Sequence, residues 1–258
     1  MSPRRYELTE REWTIIAPLL PCKPRGVPRV DDRMVLNGIL WRFRTGSSWS
    51  EIPERYGIAT TCYNRFVRWR RAGVWDRLLE AVSEAYDGDI VMIDSTCVRV
   101  HQHGANGKKG DADDGCMGRS RGGLTSKIHA LVDAQGRPVN LCLTGGQVAD
   151  CSRAEGLIER MKAGGTLLAD KAYDTDAIRK TAAEQKIWAN IPPKSNRKDV
   201  FAFSPWLYRQ RNLVERFFNR IKHYRGIATR YDKNPANFLA AVKIIAVRIW
   251  CNVYESTL

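Results

Sequence analysis

The sequence predicts an α/β protein, in which an all-helical stretch over residues 1–86 precedes a mixed-sheet core over residues 87–258. Three observations predict it. Apolar residues recur at helical spacing in the first third of the chain, as at Val35, Leu36, Ile39, Leu40 and Phe43. From residue 90 the period changes to short continuous apolar runs, Ile90–Ile93 and Thr166–Ala169, as in strands buried on both faces. Amphipathic segments alternate with the later runs, which is the order of an α/β sheet.

The helical part reads in order as follows. Thr9 and Glu12 form a capping box ahead of WTIIAPLL, and Pro21 and Pro24 end that helix. A linker with Pro24, Gly26 and Pro28 leads to a helix over Asp31–Arg44, closed by Gly46. Ser50 is placed to cap a short helix over Glu51–Tyr56, Gly57-Ile58-Ala59 makes a turn, and Thr60 or Thr61 caps a second helix over Cys62–Arg71. Helix, glycine-containing turn, helix is a helix-turn-helix-like pair, whose second member is expected to expose Thr61, Asn64, Arg65 and Arg68 to DNA phosphates and base edges. A plain helical bundle with a basic face fits the same pattern. Val74–Tyr86 is a further amphipathic helix, and Asp87-Gly88-Asp89 marks the boundary.

In the core, the strand Ile90–Ile93 ends on Asp94-Ser95-Thr96. Residues 101–123 are polar and glycine-rich and read as a mobile loop, either one that orders on nucleic acid or a simple connection. Leu124–Val132 and Val139–Leu143 form a hairpin around Asp133–Gly136. A helix over Asp150–Met161, with Asp150 as its cap, is followed by the strand Thr166–Ala169, which ends on Asp170. Then come a helix over Asp174–Gln185, a strand over Ile187–Ile191, a basic connection over Pro192–Lys198, a helix over Tyr208–Lys222 and a last helix over Pro235–Tyr254.

Composition narrows the function. The 258 residues carry a net charge of +14, unevenly placed: residues 186–230 hold 11 Lys and Arg against 2 Asp and Glu, while residues 87–185 hold 13 against 14. A basic block beside a neutral centre points to a polyanion, most simply nucleic acid. Seven scattered cysteines without a CxxC pair argue against a disulfide framework and a zinc site. The N-terminus has no apolar signal core, and Lys243 and Arg248 interrupt the most apolar run, so a soluble protein of the reducing cytoplasm, with no membrane partner, is expected.

The helix over Tyr208–Lys222 carries the chemical signal. On a helical wheel Tyr208, Arg211, Glu215 and Lys222 fall on one stripe, Leu213, Val214, Phe217, Phe218 and Ile221 fill an apolar sector, and Arg216 and Arg220 lie on a basic side. Two aspartates at ends of buried strands, with a third carboxylate delivered by a helix, make a hard oxygen site suited to Mg²⁺ or Mn²⁺. Each member alone has a plainer reading: a strand-end aspartate as a turn residue, and Glu215 as the i,i+4 partner of Arg211.

Asp94-Ser-Thr, Asp170-Lys-Ala-Tyr173 and Tyr208-x2-Arg211-x3-Glu215-x6-Lys222 resemble the signature of DDE transposases of bacterial insertion sequences, specifically the IS5 family. The resemblance spans the chain and implies an RNase H-like core behind a helical domain that binds the element's ends. It implies Asp94, Asp170 and Glu215 as the metal-binding catalytic triad, with two Mg²⁺ ions replaceable by Mn²⁺. Tyr208, Arg211 and Lys222, with Arg216 and Arg220 beside them, would hold DNA. The implied activity is hydrolytic cleavage at terminal inverted repeats followed by transesterification into target DNA, by a nucleoid-associated homodimer or larger assembly. A nuclease of the same fold without strand transfer, and a DNA-binding regulator without catalysis, remain as alternatives. The chain departs from the pattern at Ala172, where relatives often have glycine, and at Ala149-Asp150, where some have His-Asp.

Overall fold

The computed structural model describes residues 6–21, 29–105, 115–199 and 201–253. The linker expected around Pro24, Gly26 and Pro28, and residues 106–114 of the glycine-rich segment, lie outside the described residues. The chain divides into two compact units. One comprises Met1–Glu84, His101–Asn106 and Ile221–Leu258; the other comprises Ala85–Val100 and Gly107–Arg220.

The first unit is helical: α1 (Glu10–Ile16), α2 (Asp32–Thr45), α3 (Ala59–Arg71), α4 (Val74–Ser83) and the C-terminal helix Pro235–Val253. The expected capping box is present in full, with Thr9 and Glu12 capping each other's backbone N–H groups. Gly46 ends α2 in the left-handed conformation at φ 76°. The expected helix over Glu51–Tyr56 is instead two 3-10 turns, Trp49–Glu51 and Glu54–Tyr56, because Pro53 interrupts it and Ser48, not Ser50, supplies the cap. α3 begins at Ala59, without a side-chain cap from Thr60 or Thr61. The pair therefore keeps its second helix and loses its first. Phe43, Phe66, Trp69 and Trp75 pack edge to face or tilted at 5.3–5.8 Å in the core.

The C-terminal helix was expected within the sheet domain but belongs to the helical unit. Phe238, Val242, Ile245, Ile249 and Trp250 are buried, and the helix packs on α4 and α1. Arg248 fixes it there: Nε meets the fully buried Glu12 carboxylate at 2.8 Å, and the two Nη groups donate to the carbonyls of Tyr6 and Glu7 at 2.9 and 2.8 Å. Among the described residues no helix is long and apolar enough to cross a membrane.

The second unit is built on a mixed sheet: β1 (Ile90–Val100), β2 (Gly118–Ser120), β3 (Gly123–Asp133), β4 (Pro138–Gly145), β5 (Thr166–Leu168) and β6 (Trp188–Asn190). β2 and β4 lie antiparallel to β3 and β3 antiparallel to β1, whereas β5 runs parallel to β1 and β6 parallel to β5. The strands were thus expected in the right order, with β2 an addition inside the glycine-rich segment. Helices α5 (Ala154–Ile158), α6 (Asp176–Glu184) and α7 (Asn212–Lys222) follow in the chain, and the C-terminal helix is α8. α7 buries Val214, Phe217 and Phe218 and exposes Glu215, Arg216 and Arg220, as the wheel predicts.

The basic connection after β6 is tied down by one carboxylate. Asp174, fully buried, accepts from Arg179 Nε at 2.7 Å, and from Lys194 N and Arg197 Nε at 2.8 Å each. Burial alone would raise its pKa, but the bonds from Arg197, Lys194 and Arg179 override it and bring it down to about 2.

Two outcomes follow. Arg248→Ala strands the Glu12 charge in the core and lowers unfolding free energy by about 3–5 kcal/mol in urea denaturation, while Arg248→Met with Glu12→Gln recovers part of it. The stability lent by Asp174 is complete above its ordinary pKa of 3.8 and disappears as pH falls toward 2. Acid titration of wild type against Asp174→Asn should show a gap at neutral pH that closes below about pH 4.

Candidate active site

Asp94 and Asp170 sit on neighbouring parallel strands. The paired residues Met92 and Leu168 each lie two positions before an aspartate. Asp170 follows the end of β5, as expected, and its Oδ1 caps a 3-10 turn over Lys171–Tyr173 by accepting from Ala172 N at 2.8 Å. Asp94 does not end its strand. β1 continues to Val100 because β3 still pairs with it, Asp94 opposite Ala130, after β5 has stopped. Asp94 Oδ1 accepts the Ser95 N–H at 2.7 Å. Burial, and secondarily the nearby Asp170, raise the Asp94 pKa despite the Ser95 N–H and Arg211.

Arg211 joins the carboxylates. Its Nη1 donates to Asp94 Oδ2 at 2.8 Å and its Nη2 to Glu215 Oε1. Burial opposes the guanidinium charge, but Asp94, Tyr208, Glu215 and Asp170 outweigh it and raise its pKa. All three expected carboxylates therefore act on one cation. Tyr208 and Arg211 precede α7 in short helical turns rather than lying on it, and the Tyr208 ring is 5.8 Å from the guanidinium. Glu215 stands in the first turn of α7, where the helix dipole favours a negative charge. Lys222 closes the same helix two turns on.

Among the described residues, no group of three or more His, Cys, Asp or Glu side chains is arranged to hold a metal ion as it stands. The donor set nonetheless fits a hard divalent ion: three carboxylates and no sulfur or imidazole, two of them bonded to the Arg211 guanidinium.

Asp150 is not the helix cap expected; Ala149 holds that position. Its Oδ1 instead accepts from Ser95 Oγ at 2.5 Å and from Lys127 Nζ at 2.7 Å, and Lys127 also donates to Val148 O at 2.5 Å. Ser95, Lys127 and Tyr173 were not singled out by role. Strand register brings the first two together, since Ser95 pairs with His129 and Cys97 with Lys127 on one face of β1 and β3. Tyr173 is fully buried, and burial followed by the charges of Asp94 and Asp150 keeps its phenol protonated. His129, buried beside Lys127, has its pKa pushed down to about 4 and shares a 2.8 Å hydrogen bond with Thr144.

The residues expected to face DNA from α3 are divided. Asn64 and Arg68 are exposed and Thr61 is half-buried. Arg65 is buried, contrary to expectation, because its guanidinium is bound to Asp32 and lies 5.4 Å from the Trp69 ring. Arg216 and Arg220 are exposed.

Asp150→Ala leaves the buried Lys127 ammonium without its carboxylate and should cost about 1–3 kcal/mol in chemical denaturation. Lys127→Met added to it should cost less than the sum of the two single losses.

Comparison with known proteins gives the family. Residues 85–250 match the family model described as "Transposase DDE domain", and residues 8–79 match "Putative transposase of IS4/5 family". A Brucella ovis protein named "Putative transposase for insertion sequence element IS6501" is 38% identical over 128 residues, which cover 49% of this chain and 98% of that protein. An uncharacterized 16.2 kDa protein of insertion element IS402 from Burkholderia cepacia is 38% identical over 101 residues, covering 34% of this chain and 69% of that one. The piggyBac transposase, solved as a synaptic complex with hairpin DNA, superposes with a TM-score of 0.53 at 11% identity over 96% of this chain and 72% of its own, a likeness of fold. With its RNase H-like mixed sheet and its match over nearly the whole core, the chain belongs to the DDE transposases of insertion sequences, its helical N-terminal part resembling those of the IS4/5 family, and is a DNA transposase.

Proposed function

We propose that this transposase binds the terminal inverted repeats of its element, cuts phosphodiesters there by hydrolysis and joins the freed 3′-OH ends to target DNA by transesterification. The observation that carries the reading is the convergence of Asp94, Asp170 and Glu215 on the Arg211 guanidinium. DDE transposases generally use divalent metal ions. Asp94, Asp170 and Glu215 would hold two Mg²⁺ ions, which Mn²⁺ could replace, and bound ions of this kind activate a water or hydroxyl and stabilise the leaving oxygen.

The chain's own residues have separate tasks. Arg211, released from the carboxylates, would turn its fork of donors to phosphate oxygens, for which a guanidinium is suited. Tyr208 and Lys222 would hold the same strand, with the exposed Arg216 and Arg220 neutralising phosphates farther along α7. Hydrolysis and joining are both in-line phosphoryl transfers, so one site serves both and no covalent protein–DNA intermediate is needed. The helical unit, through Thr61, Asn64 and Arg68, would recognise the end sequence. Arg65 drops out of that set because it is bound to Asp32. Two ends must be processed together, so the working assembly on DNA is at least a dimer.

A strand-transfer assay with pre-cut element ends and Mg²⁺ tests this. Joined products are expected from wild type and none from Asp94→Asn or Glu215→Gln, which should still bind the ends. Nicking without joined product would favour a plain nuclease, and unchanged cellular activity of both variants would favour a non-catalytic regulator.

A further inference from the structure

The helical unit holds a second concentration of charge. Tyr6, Arg44, Thr45, His223 and Arg225 line one open pocket where the end of α2 meets the segment after α7. The Arg44 guanidinium lies between two rings, 5.3 Å from Tyr6 and 5.1 Å from Tyr224. Stacking of this kind fixes a guanidinium plane without neutralising it.

Several cations of the unit are paired with carboxylates: Arg33 with Glu10, Arg65 with Asp32, Lys243 with Asp76 and Arg248 with Glu12. Among the described residues neither Arg44 nor Arg225 has a carboxylate within 4.0 Å. Two such guanidinium groups and an imidazole share the walls of one concavity, which suits it to an anion.

The pocket is held by its frame. A Cβ on Gly46, whose φ is 76°, would stand 2.9 Å from Arg225 Cβ, and one on Gly226 would stand 3.1 Å from Phe43 O. The two glycines let the chain around Arg225 lie directly on the last turn of α2. Arg248, anchored by Glu12, grips the Tyr6 carbonyl behind the pocket at 2.9 Å. Near the end of α2 two carbonyls are engaged locally, Arg42 O by Gly46 N at 2.9 Å and Trp41 O by Thr45 Oγ1 at 3.0 Å.

We infer that this pocket is a phosphate cradle of the helical unit, in which Arg44 and Arg225 clamp a phosphodiester of duplex DNA and His223 adds a ring donor. Forked guanidinium donors match phosphate oxygens in geometry and charge. The contact carries no base readout, so it positions DNA without selecting sequence. The inference rests on the reading that this transposase binds its element's ends through the helical unit.

Salt-dependent fluorescence anisotropy tests it, using full-length protein with an element-end duplex and a scrambled duplex of equal length. Arg44→Gln and Arg225→Gln should each weaken binding to both duplexes by about tenfold. Each should also flatten the slope of log affinity against log salt by about 1. Arg225 is exposed, so if Arg44→Gln lowers the melting temperature, Arg225→Gln alone decides. Wild-type slope and affinity in Arg225→Gln overturn the cradle while leaving end binding intact. Failure of wild type to bind either duplex overturns the underlying reading instead. In a separate arm, thermal stabilisation by inorganic phosphate that is lost in Arg225→Gln without any change in DNA binding would assign the pocket to free phosphate and overturn the DNA assignment.

Discussion

Three carboxylates gathered from two neighbouring inner strands and the start of a helix repel one another unless a charge compensates them. Two like charges about 4 Å apart repel by on the order of 4 kcal/mol near a protein surface, a large share of the stability of a domain. Arg211 meets that constraint. Its fork reaches Asp94 and Glu215 at once, which the single ammonium of a lysine does less well. The bridge also sets backbone: Arg211 lies in the 3-10 turn that leads into α7, four residues before Glu215, so its side chain links the helix start to the middle of β1. The site is thus balanced by a group the protein itself supplies.

The site exists because two neighbouring strands differ in length. β5 stops at Leu168 while β1 runs on to Val100, so beyond Met92 one edge of β1 has no β5 partner. An unpaired N–H there needs an acceptor, and Asp94 Oδ1 takes the Ser95 N–H. The next side chain, Ser95, bonds Asp150 and through it Lys127 on β3. One irregularity in the sheet therefore yields both the carboxylate that faces Arg211 and the polar group that anchors its neighbour.

Local signals were legible in the sequence. The Thr9–Glu12 box, the Gly46 stop, the strand order and the apolar face of α7 depend on residues close together in the chain, and each was found where the pattern put it. What was misread depends on partners far away. Asp94 looked like a strand end because the apolar run stops there, yet β3 carries the strand onward. Asp150 looked like a cap because it opens a helix, but Lys127 and Ser95 claim its carboxylate. Arg65 fits an exposed face by spacing and is buried by Asp32, 33 positions away. α8 was grouped with the sheet because it follows it in sequence, whereas its apolar surface is matched by α4 and α1.

The placement of α8 bears on how the chain is made. The sheet unit is complete once Arg220 has been synthesised, but the helical unit needs residues from both ends, with Arg248 closing over Glu12. Helices α1 to α4 leave the ribosome ahead of the sheet and wait for α8 while the whole sheet is translated, a delay on the order of ten seconds at ~5–20 residues per second. Through that interval the apolar faces of Trp75, Leu78 and Leu79 lack the helix that finally covers them. A nascent chain of this protein thus holds the whole of its sheet unit before it holds the α8 helix of its helical unit, so the helical unit closes only after the sheet has been made.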